Sequence, residues 1–121
     1  MTSALPALAG RRVLVVEDEY FIADDLRTSL LKVGAEVLGP VSSVDKALDL
    51  IAATPDIDGA VLDINLHDVM VFPVADALQA RGVPFVFATG YEKTAIPERF
   101  AGAKHCEKPI APHKVAETLF R

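Results

Sequence analysis

The sequence predicts an α/β protein, a doubly wound sandwich in which a five-stranded parallel sheet lies between two layers of helices. Three observations predict it. Short runs of consecutive apolar residues, many of them β-branched, recur along the chain, as in Val13-Leu14-Val15-Val16. Most runs are followed by a segment whose apolar residues repeat every three or four positions. Polar residues capable of chemistry stand directly behind the runs, where a parallel sheet presents its ligand-binding edge. Strands joined through helices must run parallel, with right-handed crossovers.

Each element has its own signal. Residues 1–10 are mildly apolar, with no Lys or Arg ahead of the short apolar part. They are expected to form a flexible N-terminal tail rather than a secretory signal, leaving 11–121 as the folded domain. The run at 13–16 is too short for a helix and reads as a strand buried on both faces. Over 20–32, Ile22, Leu26 and Leu30 share a helix face with Ala23, and Gly34 stops the helix. Val37-Leu38 is a weaker strand. Ser43 caps a second helix carrying Val44, Ala47, Leu48 and Ile51, which ends before Pro55. Ala60-Val61-Leu62 is the third strand. Pro73 suits the first turn of a helix running through Ala77, Leu78 and Ala80 to Gly82. Phe85-Val86-Phe87-Ala88 is the fourth strand. The 91–102 stretch should hold the fourth helix, but Pro97 interrupts it and Ile96, ahead of a proline, is pushed from helical angles. That helix is therefore expected to be short or irregular. His105-Cys106 is the weakest strand, and Pro112 opens a last helix with Val115 and Leu119 on one side.

Composition narrows the function. With 121 residues, 51% hydrophobic and 24% charged, the chain suffices for one domain with a closed core. No stretch reaches the roughly 18–20 apolar residues that span a bilayer, so no membrane partner is expected. Cys106 is the sole cysteine, which leaves no internal disulfide and no cysteine pair for a metal; a reducing, cytoplasmic compartment is the simplest expectation. A net charge of −5 offers no basic footprint, so nucleic acid is not expected as a partner.

Behind the first run stand Glu17-Asp18, behind the third Asp63, behind the fourth Thr89, and behind the last Lys108-Pro109. Three carboxylates gathered on one sheet edge repel, and at least one pKa rises unless a cation neutralises them. Hard oxygen donors of this kind suit Mg²⁺ or Mn²⁺ rather than zinc. The chemistry such a set can run is attack by a carboxylate on a phosphorus whose oxygens are held by a divalent metal and a lysine. Thr89 offers a hydroxyl to a phosphoryl oxygen. Taken singly, an acidic residue after a strand is a solvated turn or a helix cap. Only the joint occurrence of Asp18, Asp63, Thr89 and Lys108 points to a phosphoryl site.

At these residues the chain resembles the response-regulator receiver family of two-component signalling, over 12–121. The motifs are Val15-Val16-Glu17-Asp18-Glu19, Val61-Leu62-Asp63-Ile64-Asn65-Leu66, Phe87-Ala88-Thr89-Gly90 and Lys108-Pro109, in order and each behind its own strand. The resemblance implies a flavodoxin-like three-layer sandwich with Asp63 as phosphoacceptor. It implies that Glu17 and Asp18 position Mg²⁺, with Asp63 and the main-chain carbonyl of Asn65 completing the metal shell. It further implies Thr89 as the switch hydroxyl, Lys108 as the lysine contacting the phosphoryl group, and a cis peptide bond before Pro109. Phe87-Ala88-Thr89-Gly90-Tyr91 is similar to a receiver subgroup known by its Phe-Ala-Thr-Gly-hydrophobic-Tyr signature and paired with histidine kinases of the HWE and related classes. The match stops at Glu92, where the signature has Tyr.

Other positions depart from the family pattern. The aromatic switch residue expected three positions before the lysine is His105, either a packed strand residue or a smaller polar ring in the same role. Tyr91 is either a packing residue or a surface switch. His67 and Asp68 read as polar loop residues near the site, with reach to the waters of a bound metal as the alternative, and Cys106 reads as a small buried hydrophobe.

The function this implies is that of a stand-alone receiver domain, a phosphoacceptor that catalyses only its own phosphorylation and dephosphorylation. It would take a phosphoryl group onto Asp63 from a sensor histidine kinase or a histidine phosphotransfer protein, in a Mg²⁺-dependent reaction. Phosphorylation would then switch binding of a downstream protein partner. One rival is a Mg²⁺-dependent phosphohydrolase using the same aspartyl nucleophile, but the second acid it needs two positions on is Asn65, which has no proton to give. A nucleotide-binding module lacks its glycine-rich loop after the first strand. A non-phosphorylated pseudo-receiver that only docks a partner would have no use for intact Asp18, Asp63 and Lys108.

Overall fold

The structure, a computed structural model, describes residues 5–90 and 96–120. Five strands, β1 (Arg12–Val16), β2 (Glu36–Val41), β3 (Gly59–Asp63), β6 (Phe85–Thr89) and β7 (Lys104–Glu107), form one sheet in the order β2-β1-β3-β6-β7, every pairing parallel. Two further two-residue strands, β4 (Asn65–Leu66) and β5 (Val69–Met70), make an antiparallel hairpin directly behind β3. The helices are α1 (Tyr20–Lys32), α2 (Val44–Ala53), α3 (Phe72–Ala80) and α4 (Pro112–Leu119).

The strands read as continuous apolar runs because both faces of the sheet are covered. Along β1, Val13 and Val15 join Leu26, Leu30, Val115 and Ala116 in one core, while Leu14 and Val16 join Ala47, Ile51, Val74 and Leu78 in the other. The same alternation sends Val61, Val86 and Ala88 toward α1 and α4, and Leu62 and Phe87 toward α2 and α3. Each fully buried Val, Leu or Phe contributes about 1.5–3 kcal/mol relative to exposure.

Local chemistry sets the helix ends. Ser43 Oγ accepts the Lys46 N–H at 3.2 Å and caps α2, and prolines occupy the first turns of α3 and α4. The C-terminus of α2 is closed from outside itself: Arg81 donates to the carbonyls of Ile51, Thr54 and Pro55 at 2.6, 2.8 and 2.7 Å. Among the described residues, the only helical piece between β6 and β7 is a 3₁₀ turn, Glu98–Phe100, which starts behind Pro97.

Two segments differ from expectation. The supposed tail is partly packed: Leu5–Leu8 form a 3₁₀ turn, and Leu8 is fully buried in the core with Leu30, Val115 and Ala116. An apolar side chain with a ready slot between α1 and α4 gains more from burial than from freedom. Strand β2 is also longer than Val37-Leu38. It passes through Gly39, at φ +92, where a Cβ would lie 2.7 Å from the Val41 nitrogen, so only glycine fits. Around this point the register with β1 shifts between Leu14 and Val16.

Candidate functional site

Strand order reverses between β1 and β3, since the chain leaves β1 for β2 and returns past it to β3. Their carboxyl ends flank the crevice where doubly wound sheets hold ligands. Glu17 and Asp18 follow β1, and Asp63 closes β3. Their carboxylate oxygens lie within 4.8 Å of one another. Lys108, reached from β7, spans two of them: Nζ is 2.8 Å from Glu17 Oε1 and 3.0 Å from Asp63 Oδ1. The backbone ties this edge together. Lys108 N–H donates to the Thr89 carbonyl at 2.8 Å, Glu17 N–H to the Val41 carbonyl at 3.0 Å, and Glu19 N–H to Glu17 Oε2 at 3.1 Å. The peptide bond between Lys108 and Pro109 is cis.

The electrostatics follow from burial. Asp63 is only 8% exposed, and burial pushes its carboxyl up to about 7. The charge on Glu17 and the hydrogen bond with Asp18 act in the same direction, while the Lys108 ammonium opposes them. Asp18 is also raised by burial, but its contacts with Asp63 and His67 outweigh that and hold it below the usual carboxylate range. Burial lowers Lys108, and Glu17 and Asp63 more than compensate, so it stays firmly cationic. Three carboxylates against one ammonium leave unneutralised negative charge among oxygen donors. This donor set fits a hard divalent cation such as Mg²⁺ or Mn²⁺.

The hairpin is the feature that sequence reasoning missed. His67 and Asp68 at its tip carry φ of 49° and 68°. Two successive left-handed residues make the turn that matches the twist of a two-residue hairpin, and here no glycine announces it. The turn holds one of the carboxylates: His67 donates its main-chain N–H to Asp18 Oδ2 at 2.9 Å, with Nδ1 also 3.3 Å from that oxygen. Asn65 Oδ1 accepts the Asp68 N–H at 2.8 Å, so its side chain braces the turn. His67 thus does more than the polar loop role expected of it.

The remaining expected residues are placed as follows. Thr89 is half-buried at the end of β6, and its hydroxyl donates to the Cys106 carbonyl at 3.3 Å. His105 is exposed on the edge strand, its ring 5.6 Å from that of Phe87. Cys106 is half-buried rather than buried, with Sγ 3.6 Å from Thr118 Oγ1; an edge strand has no neighbour to cover it. Tyr91 lies outside the described residues. A groove of about 600 Å³ opens beside the carboxylates, lined by Phe21, Asp25, Leu26, Asp63, Lys108 and Pro109. Among the described residues, no helix is long and apolar enough to cross a membrane.

No protein-family model matches the chain, and no curated protein matches it. Solved structures do. The chain is 38% identical to SdrG from Sphingomonas melonis Fr1, with a TM-score of 0.78 over 93% of this chain and 94% of that one. It is 35% identical to the BeF3-activated conformation of SdrG from Pseudomonas melonis Fr1, with a TM-score of 0.71 over 98% and 96%. To a response regulator receiver protein from Burkholderia phymatum it is 27% identical, with a TM-score of 0.74 over 90% and 94%. With this likeness along nearly its whole length, on the five-stranded parallel sheet that the sequence predicted, the chain belongs to the response-regulator receiver family.

Proposed function

We propose that this chain accepts a phosphoryl group on Asp63 from the phosphohistidine of a kinase or phosphotransfer protein, and that the modified domain binds a downstream protein differently. The observation that carries this reading is the position of Asp63: a buried carboxylate between Asp18, Glu17 and the Lys108 ammonium at 3.0 Å. An Asp63 oxygen forms the new bond to phosphorus as the bond from phosphorus to the histidine nitrogen breaks, and the imidazole leaves with the electron pair. Lys108 favours the ionised nucleophile and then faces the charge spread over the phosphoryl oxygens. Glu17, Asp18, Asp63 and the Asn65 carbonyl are the groups that would hold a divalent cation, which when bound supplies neutralisation of phosphoryl charge. Thr89 exchanges its bond to Cys106 for one to a phosphoryl oxygen.

Within the family, the run Phe87-Ala88-Thr89-Gly90-Tyr91 supports membership of the Phe-Ala-Thr-Gly-hydrophobic-Tyr subgroup and a partner kinase of the HWE or a related class. The test uses Mg²⁺ with acetyl phosphate, followed by intact mass. Wild type gains one phosphoryl group and Asp63→Asn gains none; steady hydrolysis without an Asp63-dependent adduct would overturn the reading in favour of a phosphohydrolase, and no response at all in favour of a docking module.

A further inference from the structure

Two lengths of chain leave the carboxylate site and meet again on the α2–α3 side of the sheet. One runs from Asp63 through the hairpin to α3, its base pinned by Val71 N–H donating to the Ile64 carbonyl at 2.9 Å. The other runs from Thr89 to the turn Glu98–Phe100. They are joined twice. Arg99 grips Asp76 of α3 with a fork, Nε to Oδ1 at 2.9 Å and Nη2 to Oδ2 at 3.0 Å. Beneath it Phe100, only 1% exposed, stacks on Phe72 at the start of α3, with ring centroids 5.7 Å apart and planes 23° apart. Phe72 meets Phe87 edge-on at 5.9 Å, and Phe87 lies in register with Leu62, the residue before Asp63.

His105, in contrast, stands exposed on the edge strand, its ring 5.6 Å from that of Phe87, and makes no part of this buried cluster. Among the described residues, the buried rings are at 72, 87 and 100. Resting on the phosphoacceptor reading above, we infer that the change at Asp63 leaves through α3: the hairpin base, α3 and the turn Glu98–Phe100 shift as one packed body, coupled by the Phe72–Phe100 stack and the Asp76–Arg99 fork. Close packing makes such a body move together or not at all. The test measures this coupling directly.

The full chain, isotope-labelled, is titrated with beryllofluoride in Mg²⁺ while the amides of Ile64 and Val71 and the side-chain N–H of Arg99 are followed by NMR. In wild type, Arg99 shifts along the same saturation curve as Ile64 and Val71. In Phe72→Leu, and independently in the surface variant Asp76→Asn, the amide shifts of residues 98–100 fall at least twofold while those of Ile64 and Val71 persist. His105→Ala leaves the shifts at 98–100 in place. Unmoved resonances at 98–100 in wild type, or full shifts there in both coupling variants, would overturn the inference while leaving the phosphoacceptor reading intact. A silent Ile64 and Val71 would overturn both.

Discussion

The centre of the sheet and its β6–β7 flank are built on opposite terms. At the centre, β1 and β3 are buried on both faces, and the carboxylates at their ends are held in place: Glu17 and Asp63 by Lys108, Asp18 by the hairpin, and Glu17 also by the Glu19 N–H. At the flank, β7 is an edge strand with His105 and Glu107 exposed, and the Thr89 hydroxyl reaches it through a single 3.3 Å bond. On the proposed function, the nucleophile sits where the fold has least freedom, and the Thr89 hydroxyl that would turn to a phosphoryl oxygen sits where it has more. Rigid placement serves a transition state, while a switch needs two arrangements of similar energy.

Five predictions would break or sharpen that contrast. The largest effect belongs to Asp63→Asn, which on the proposed function should abolish all mass gain from acetyl phosphate. Next, Phe87→Ala should cost about 3–5 kcal/mol in chemical unfolding, because it empties a fully buried ring that joins the sheet to the aromatic cluster. Lys108→Ala, with the fold retained, should slow phosphorylation by about 10²–10³-fold in stopped-flow measurement.

The pH dependence comes fourth. Asp63 is raised to about 7 in the fold, so between the unfolded pKa near 4 and the folded value the native state holds a proton that the unfolded chain has lost. Its contribution is therefore fully present below pH 4 and is lost as pH rises through 7. In metal-free buffer Asp63→Asn should be more stable than wild type at pH 8 by about 1–2 kcal/mol, with the gap closing toward pH 4. A gap independent of pH would show that Lys108 already neutralises the site. Smallest is His105→Ala, within about 0.5 kcal/mol of wild type, as an exposed edge position should be; a cost above about 2 kcal/mol would place it in the core after all.

The same contrast explains what the sequence made legible. Strands β1, β3 and β6 stood out because burial on both faces demands unbroken apolar runs, and the site residues followed from their positions behind those runs. Ser43, Pro73 and Pro112 marked helix starts because capping is local chemistry. Strand β2 was half-hidden by Gly39-Pro40, and β7 by the polar side chains an edge strand tolerates. The hairpin was invisible: its strands are two residues long, and its turn uses His67 and Asp68 where a glycine would have signalled positive φ. The seat of Leu8 was unreadable too, since one leucine in a short segment gives no period.

The hairpin also bears on which changes in chain length this domain can absorb. Asp18 is positioned by the main chain of His67 rather than by any side chain of β1, so the hook survives most substitutions at the tip but not a change in residue count. One residue added or removed between Asp63 and Phe72 would rotate the amide away from the carboxylate and unhook half of the acidic pair. The connection from α2 to β3, at 54–58, carries no group of the site. Insertions and deletions among relatives that keep this chemistry should therefore gather there and spare the hairpin.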